Sequence, residues 1–206
     1  MKYRNNYLTF GEKMKIEINK NTKGLIFDMD GTLADSMPIH FKAWKLTAAE
    51  NGFEYTEKQF LDTAGMPTLK IVPLINKELG LNLDPVEFSR RKEELFLENI
   101  GELKLIEPVA EIVLRYHNIL PMSIGTGGKK DIAKLTLEML GFDRFFDIIV
   151  SAEDVEHHKP YPDTFLKCAE LMNVPPEFCQ VFEDGELGLI AAERAGMVVT
   201  DVRPYL

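Results

Sequence analysis

Apolar positions first become regular after Lys23, where Gly24-Leu25-Ile26-Phe27 forms a short continuous run closed by Asp28. A run of this length without polar alternation predicts a strand buried on both faces of a parallel sheet. Four similar runs follow, from Leu120 to Ile124, Asp147 to Val150, Cys179 to Phe182 and Met197 to Thr200. Helical spacing separates these later four. From Lys130 to Leu140 it puts Ile132, Leu135, Met139 and Leu140 on one face before Gly141, and a second stretch from Glu186 to Ala195 stops at Gly196. Strand alternating with helix predicts an α/β fold built on a parallel sheet.

Between the first run and the second the strand pattern is absent. Pro38 opens a helix with Phe41, Trp44, Ala48 and Ala49 at helical spacing, closed by Asn51-Gly52. Thr56 with Gln59, and Asp84-Pro85 with Glu87, mark two more helix starts, the latter predicted to reach Ile100 and Gly101. A run from Leu69 to Leu79 contains Pro73, which predicts a kink or a late start. Residues 36–105 are therefore expected to form a small all-helical cap inserted after the first strand, over the carboxyl ends of a core made of 21–35 and 106–206. Residues 1–20 are polar and mixed. They are expected to be a loosely attached tail with a weak strand near Ile16-Glu17-Ile18, in which Met14 offers an alternative start.

A chain of 206 residues suits one domain carrying such an insert, and 45% hydrophobic with 28% charged residues suits a globular one. The 24 basic against 33 acidic residues leave a net charge of −9, which gives no electrostatic ground for nucleic acid or an anionic membrane as a partner. No apolar run approaches the roughly 18 residues of a membrane span, and the first ten residues lack the apolar core of a signal peptide. A cytoplasmic protein is expected, with monomer as the default. Cys168 and Cys179 have no metal-ligand spacing around them and read as reduced, buried thiols.

Ligands of open parallel sheets bind outside the carboxyl ends of the strands. At those ends stand Asp28-Met29-Asp30-Gly31-Thr32, then Gly125-Thr126-Gly127-Gly128, then Lys159-Pro160 beyond a loop, then Glu183-Asp184-Gly185. Each has a bland reading. A lone D-x-D can be a solvated turn, a Gly-rich strand-to-helix turn is common without ligand, a lysine before proline is usually on the surface, and an acidic pair can serve a helix dipole. Brought to one edge they are chemically coherent. Clustered carboxylates Asp28, Asp30, Glu183 and Asp184 repel unless a cation offsets them, and hard oxygen donors suit Mg²⁺. A Gly-rich turn at a helix start accommodates phosphate oxygens, and Lys159 adds positive charge. Together they point to phosphoryl transfer with a carboxylate as nucleophile.

The stretches FDMDGTLADS, IGTGG, HHKPYPDTF and VFEDGELG resemble the four motifs of the haloacid dehalogenase superfamily, over the chain from about Lys23 onward. The helical insert resembles the cap of the branch containing β-phosphoglucomutase and sugar-phosphate phosphatases, and within that branch the chain resembles the fructose-1-phosphate phosphatase type, chiefly in HHKPYPDTFLKCA and VFED. The resemblance implies a Rossmann-like core with a helical cap, Mg²⁺ as cofactor and a small phosphorylated sugar as substrate. It implies that Asp28 attacks phosphorus and that Asp30 protonates the leaving oxygen and then activates water. By the same likeness Thr126 and the Gly127 N–H hold the transferring phosphoryl group, with Gly128 beside them, and Lys159 neutralises its charge. Asp28, the Asp30 carbonyl and Asp184 hold the metal, with Glu183 as a further ligand or a partner behind it. His40 followed by Trp44 resembles the mutase pattern and places His40 near the site entrance as a substrate contact. His157-His158 has no third ligand spaced for Zn²⁺ and reads as loop. Gly185 stands where many relatives carry Ser, which removes at most a hydroxyl contact.

Two alternatives stand beside a sugar phosphatase. A mutase would use the same chemistry, but the resemblance gives it a Lys and an Arg on the cap where this chain has Ala64 and Thr68. Lys70 and Lys77 would replace them only if their helix faced the site differently. A receiver-type phospho-accepting module lacks both a second Asp after the acceptor and a large cap, and this chain has Asp30 and the insert.

Overall fold

The computed structural model of the chain describes residues 15–206. Strand β1 (Gly24–Phe27) is followed by four helices, α1 (Met37–Glu50), α2 (Glu57–Asp62), α3 (Thr68–Leu79) and α4 (Pro85–Leu97). The chain then runs through α5 (Glu107–Tyr116), β2 (Met122–Gly125), α6 (Lys130–Leu140), β3 (Ile148–Val150), α7 (Asp163–Met172), β4 (Cys179–Glu183), α8 (Glu186–Arg194) and β5 (Val198–Asp201). The five strands are parallel in the order β3-β2-β1-β4-β5. This is an α/β Rossmann-like core with a helical insert after its first strand.

Strand β1 has no solvent-facing residue because its side chains alternate between two apolar layers. Leu25 and Phe27 pack with Val109, Ile112 and Ala133 from α5 and α6, while Ile26 packs with Phe165 and Ala191 from α7 and α8. Phe27 also stacks on Phe182 at 4.8 Å between ring centroids, which ties β1 to β4 next to the acidic residues that follow each strand. The insert has its own apolar centre, where Trp44 stacks on Tyr55 at 4.6 Å and meets Phe88 at 5.3 Å. A second cluster, Ile39, Ala43, Leu95 and Phe96, carries α1 and α4 onto Ile132 of the core. The chain leaves and re-enters the core side by side. The Asp35 N–H donates to the Lys104 carbonyl at 2.9 Å and the Ile106 N–H to that of Leu33 at 3.0 Å.

Several expected details are corrected. No strand forms at Ile16–Ile18, and residues 15–20 are not loose. Ile16 is buried in the core, and the Gln180 amide donates to the Glu17 carbonyl (3.0 Å) and accepts from the Asn19 N–H (2.8 Å). The remainder of the expected tail, Met14 included, lies outside the described residues. Strand β2 begins at Met122 rather than Leu120, since Pro121 has no N–H to give a ladder. Helix α4 ends at Leu97, where Asn99 turns its amide back onto the Leu95 carbonyl and a 3-10 turn takes over at Ile100–Glu102. Helix α3 starts at Thr68, before Pro73, which sits in its early turns and forfeits one bond to Leu69. Helix α5 was not among the expected elements, although Pro108 opens it and Val109, Ile112 and Val113 mark its buried face. Among the described residues no helix is long and apolar enough to cross a membrane, and both cysteines are buried free thiols.

Candidate active site

The strand order reverses beside β1, which pairs with β2 on one side and β4 on the other, so the residues after β1 and β4 meet at the sheet's switch point. Asp28 and Glu183 are both buried there, and the buried Lys159 reaches both. Its Nζ donates to Asp28 Oδ1 at 2.6 Å and to Glu183 Oε2 at 2.7 Å. Asp28, Glu183 and Asp184 each bring one carboxylate oxygen within 4.8 Å of the others. Glu183 is heavily committed, because its other oxygen accepts the N–H groups of Asp184 and Gly185. Asp184 is fixed by the Thr32 hydroxyl at 2.7 Å. Gly31 makes room for it. With φ at +90° and Asp184 Oδ2 only 2.3 Å from where a Cβ would stand, no side chain fits at position 31.

The charge balance of this cluster is incomplete. Burial raises Glu183 to about 8 and Asp184 to about 7, and the nearby Asp28 adds to both shifts. Burial raises Asp28 as well, with Lys159 opposing it. Burial pulls Lys159 down, but Asp28 and Glu183 outweigh it and hold the ammonium charged. Three carboxylates around one ammonium therefore favour a further cation. Hard oxygen donors of this kind fit Mg²⁺, with Asp28 and Asp184 the residues best placed to hold it.

Asp30 occupies a separate network. Its Oδ1 accepts from Ser36 Oγ at 2.6 Å and lies 3.0 Å from His40 Nε2, while His40 Nδ1 lies 2.8 Å from Lys92 Nζ. An ammonium can only donate, so Nδ1 accepts and Nε2 carries the proton that goes to Asp30. Burial alone would raise Asp30, yet His40, Ser36 and the charge of Lys92 hold it at about 2. Burial and Lys92 together lower His40, and burial lowers Lys92 to about 8. The imidazole is stacked on Phe96 at 4.1 Å, which fixes its plane. Both ring nitrogens of His40 are thus engaged and the residue positions Asp30, while it also lines the cavity between insert and core.

Thr126, at the end of β2, accepts the Gly128 N–H on its Oγ1 at 2.9 Å, so Gly128 shapes the turn and its N–H is not free for substrate. Gly127 is a point of close approach. A Cβ there would stand 2.2 Å from the Gly65 carbonyl of the insert, so the cap loop sits directly on the glycine-rich turn after β2. Between insert and core lies a cavity of about 390 Å³, lined by Asp28, Asp30, Thr126 and Glu183 from the core and by Trp44, Gly65 and Lys92 from the insert. That volume suits a ligand of sugar-phosphate size. Lys70 lines it too, as an exposed side chain, whereas Lys77 is not in its wall. His158 also lines it, with Nδ1 buried and without a partner among the described residues. Of the expected site residues, Asp28, Asp30, His40, Thr126, Gly127, Gly128, Glu183 and Asp184 all line this cavity, and Lys159 bonds Asp28 and Glu183. Thr32, Ser36 and Lys92 were missed. Lys92 lies in Arg90-Arg91-Lys92-Glu93-Glu94, a run that reads as a solvated helix face, and only its i+4 spacing from Phe88 and to Phe96 hinted at burial.

The model of the haloacid dehalogenase-like hydrolase family matches residues 25–202. The chain is 41% identical over 184 residues to the fructose-1-phosphate phosphatase YqaB of Escherichia coli, covering 87% of this chain and 96% of that protein. It is 30% identical to a phosphorylated carbohydrates phosphatase of Thermotoga maritima, over 85% of this chain and 82% of that one. In fold it matches the β-phosphoglucomutase of Clostridium difficile with a TM-score of 0.78, at 24% identity over 87% of this chain and 84% of that one.

Proposed function

Because this chain belongs to the haloacid dehalogenase-like hydrolases, we propose that it is a Mg²⁺-dependent phosphatase of small sugar phosphates, fructose 1-phosphate among them, acting through an aspartyl phosphate on Asp28. The observation that carries this reading is the buried Lys159 bridging Asp28 and Glu183, two carboxylates in the wall of a sugar-sized cavity. A carboxylate so placed is oriented for attack, and the ammonium beside it is placed to neutralise charge on the phosphoryl oxygens. Bound at Asp28 and Asp184, the metal would supply further positive charge toward the phosphoryl group.

The residues divide the work. Asp28 takes the phosphoryl group from the sugar, whose leaving oxygen receives a proton from Asp30. Asp30 then takes a proton from the water that attacks phosphorus, and Asp28 is regenerated. At rest Asp30 is ionised, held so by Ser36 and by the His40–Lys92 pair, so it is set for the second half of this cycle. The approach of a phosphate dianion raises its proton affinity, so Asp30 takes up a proton from solvent as substrate binds. It gives that proton to the leaving oxygen, recovers one from the attacking water and releases it as the products depart. Thr126 and the Gly127 N–H hold the phosphoryl oxygens, and the Gly65 loop resting on Gly127 covers them against bulk water. The test is a rapid acid quench during turnover of fructose 1-phosphate. Mass analysis of the peptide containing Asp28 should find one phosphoryl group on that residue. Turnover with a label on another residue would refute the covalent role.

Phosphatase is favoured over mutase because the cap segment above the site is neutral, with Ala64, Gly65 and Thr68 all in the cavity wall. One observation favours the mutase, the presence of Lys70 in that wall, but this ammonium is exposed to solvent, where its attraction is screened.

Metal dependence is testable without turnover. Glu183 and Asp184 bind protons more tightly folded than unfolded, so their contribution to stability is complete below about pH 4 and is lost as pH rises through about 7 to 8. Mg²⁺ replaces those protons. It should therefore raise Tm more at pH 8 than at pH 5, by about 2–4 °C for each kcal/mol of binding linkage. A shift that is equal at both pH values, or larger at pH 5, would count against the carboxylate site.

A further inference from the structure

Three lysines line the cavity, and two of them are spoken for by other residues of its wall. Lys92 is bonded to His40. Lys129, which precedes α6 in the core, donates to Glu93 Oε2 at 2.7 Å, and Glu93 stands on α4 of the insert. The other carboxylate oxygen of Glu93 accepts the hydroxyl of the buried Ser89 at 3.0 Å, which aims the carboxylate. The pair thus spans the cavity from insert to core, and the Glu93 side chain is only 19% exposed. Glu93 is one residue from Lys92, so this pair lies close to the network around Asp30. A phosphate arriving there would have to compete with a carboxylate already in place and would be repelled by it. Sugar hydroxyls meet no such obstacle, because each carboxylate oxygen retains acceptor capacity beyond the bonds it makes.

We propose that Glu93 is a specificity-determining residue: by holding Lys129 across the cavity it withholds that lysine from a second phosphate and restricts the site to sugar monophosphates. The role rests on the sugar-phosphate reading of the cavity.

The experiment uses calorimetric affinities for fructose 1-phosphate and fructose 1,6-bisphosphate, measured on the full chain carrying Asp28→Asn so that neither ligand is consumed. With Glu93 intact the monophosphate should bind more tightly. Adding Glu93→Gln keeps the Ser89 hydrogen bond but frees Lys129, and the affinity ratio should move toward the bisphosphate by about tenfold or more, the size of one modest charge contact. Adding Lys129→Met to that variant should return the ratio to its starting value. A bond that merely held the insert closed would weaken both ligands together and leave the ratio unchanged, and that result overturns the proposal. So does a bisphosphate that already binds as tightly as the monophosphate with Glu93 in place. Phosphate release by the unaltered protein separates the two levels of inference. Release with an unmoved ratio defeats the role of Glu93 alone, whereas a moved ratio without release defeats the phosphatase reading and leaves Glu93 its role. Failure of both ligands to bind defeats both.

Discussion

Asp28→Asn should lower phosphate release by roughly four orders of magnitude or more while leaving the fold intact. The amide nitrogen and carbonyl that replace the carboxylate cannot attack phosphorus, so the covalent route closes rather than slows. The fold survives because the substitution keeps the shape of the side chain and removes one of the charges that crowd Lys159. Asp28 contributes to the raised proton affinity of both Glu183 and Asp184, so both should titrate lower in the variant. Without metal its Tm should be unchanged or slightly higher, and its Mg²⁺ affinity weaker. A steady-state assay with thermal melts, with and without Mg²⁺, reads all three effects. A variant retaining a tenth of the activity would show that Asp28 is not the nucleophile.

Lys159→Met should damage both activity and stability. The ammonium is 1% exposed and bonded to two carboxylates that are themselves 7% and 3% exposed. Removing one partner of a buried ionic cluster leaves the others uncompensated, at a cost of about 3 kcal/mol or more. The cost should grow with pH. Without Lys159, Asp28 and Glu183 shift further upward, so the protonated forms carry the fold at pH 5 and their loss destabilises it at pH 8. Mg²⁺ should restore part of the Tm, since it too can offset Asp28 and Asp184. It should not restore the rate, which we expect to fall roughly a thousandfold with loss of charge at the phosphoryl oxygens. Urea titrations at the two pH values check the sign. A variant as stable as the parent at pH 8 would mean that the cluster does not depend on this lysine.

The strands and the residues that follow them were legible because a fully buried parallel strand advertises itself as an unbroken apolar run, and such sheets put function at one end of every strand. Asp28, Thr126, Glu183 and Asp184 lie at or just beyond the ends of β1, β2 and β4, so locating those strands located them. Lys159 lies beyond a loop, and the motif around it marked it where the strand pattern did not. Strand and helix ends were read less well where a single group decides them, as Pro121 does for β2 and Asn99 for the end of α4. The Asp30 network was illegible for a different reason. Ser36 and Lys92 become functional only when the insert docks on the core, and docking across about 60 residues leaves no periodic trace in either segment. His40 stands out in the sequence, but its bond to Lys92 on α4, and with it its hold on Asp30, does not. The Glu93–Lys129 pair was hidden in the same way, in charge runs that read as solvated surface.

The most direct test of the central claim follows both products in one tube by phosphorus NMR, with Mg²⁺ and the unaltered protein. Fructose 1-phosphate should yield inorganic phosphate, and β-glucose 1-phosphate should yield phosphate with little glucose 6-phosphate. Conversion of β-glucose 1-phosphate mainly to glucose 6-phosphate, with negligible free phosphate from either sugar, would contradict the account and make the enzyme a mutase.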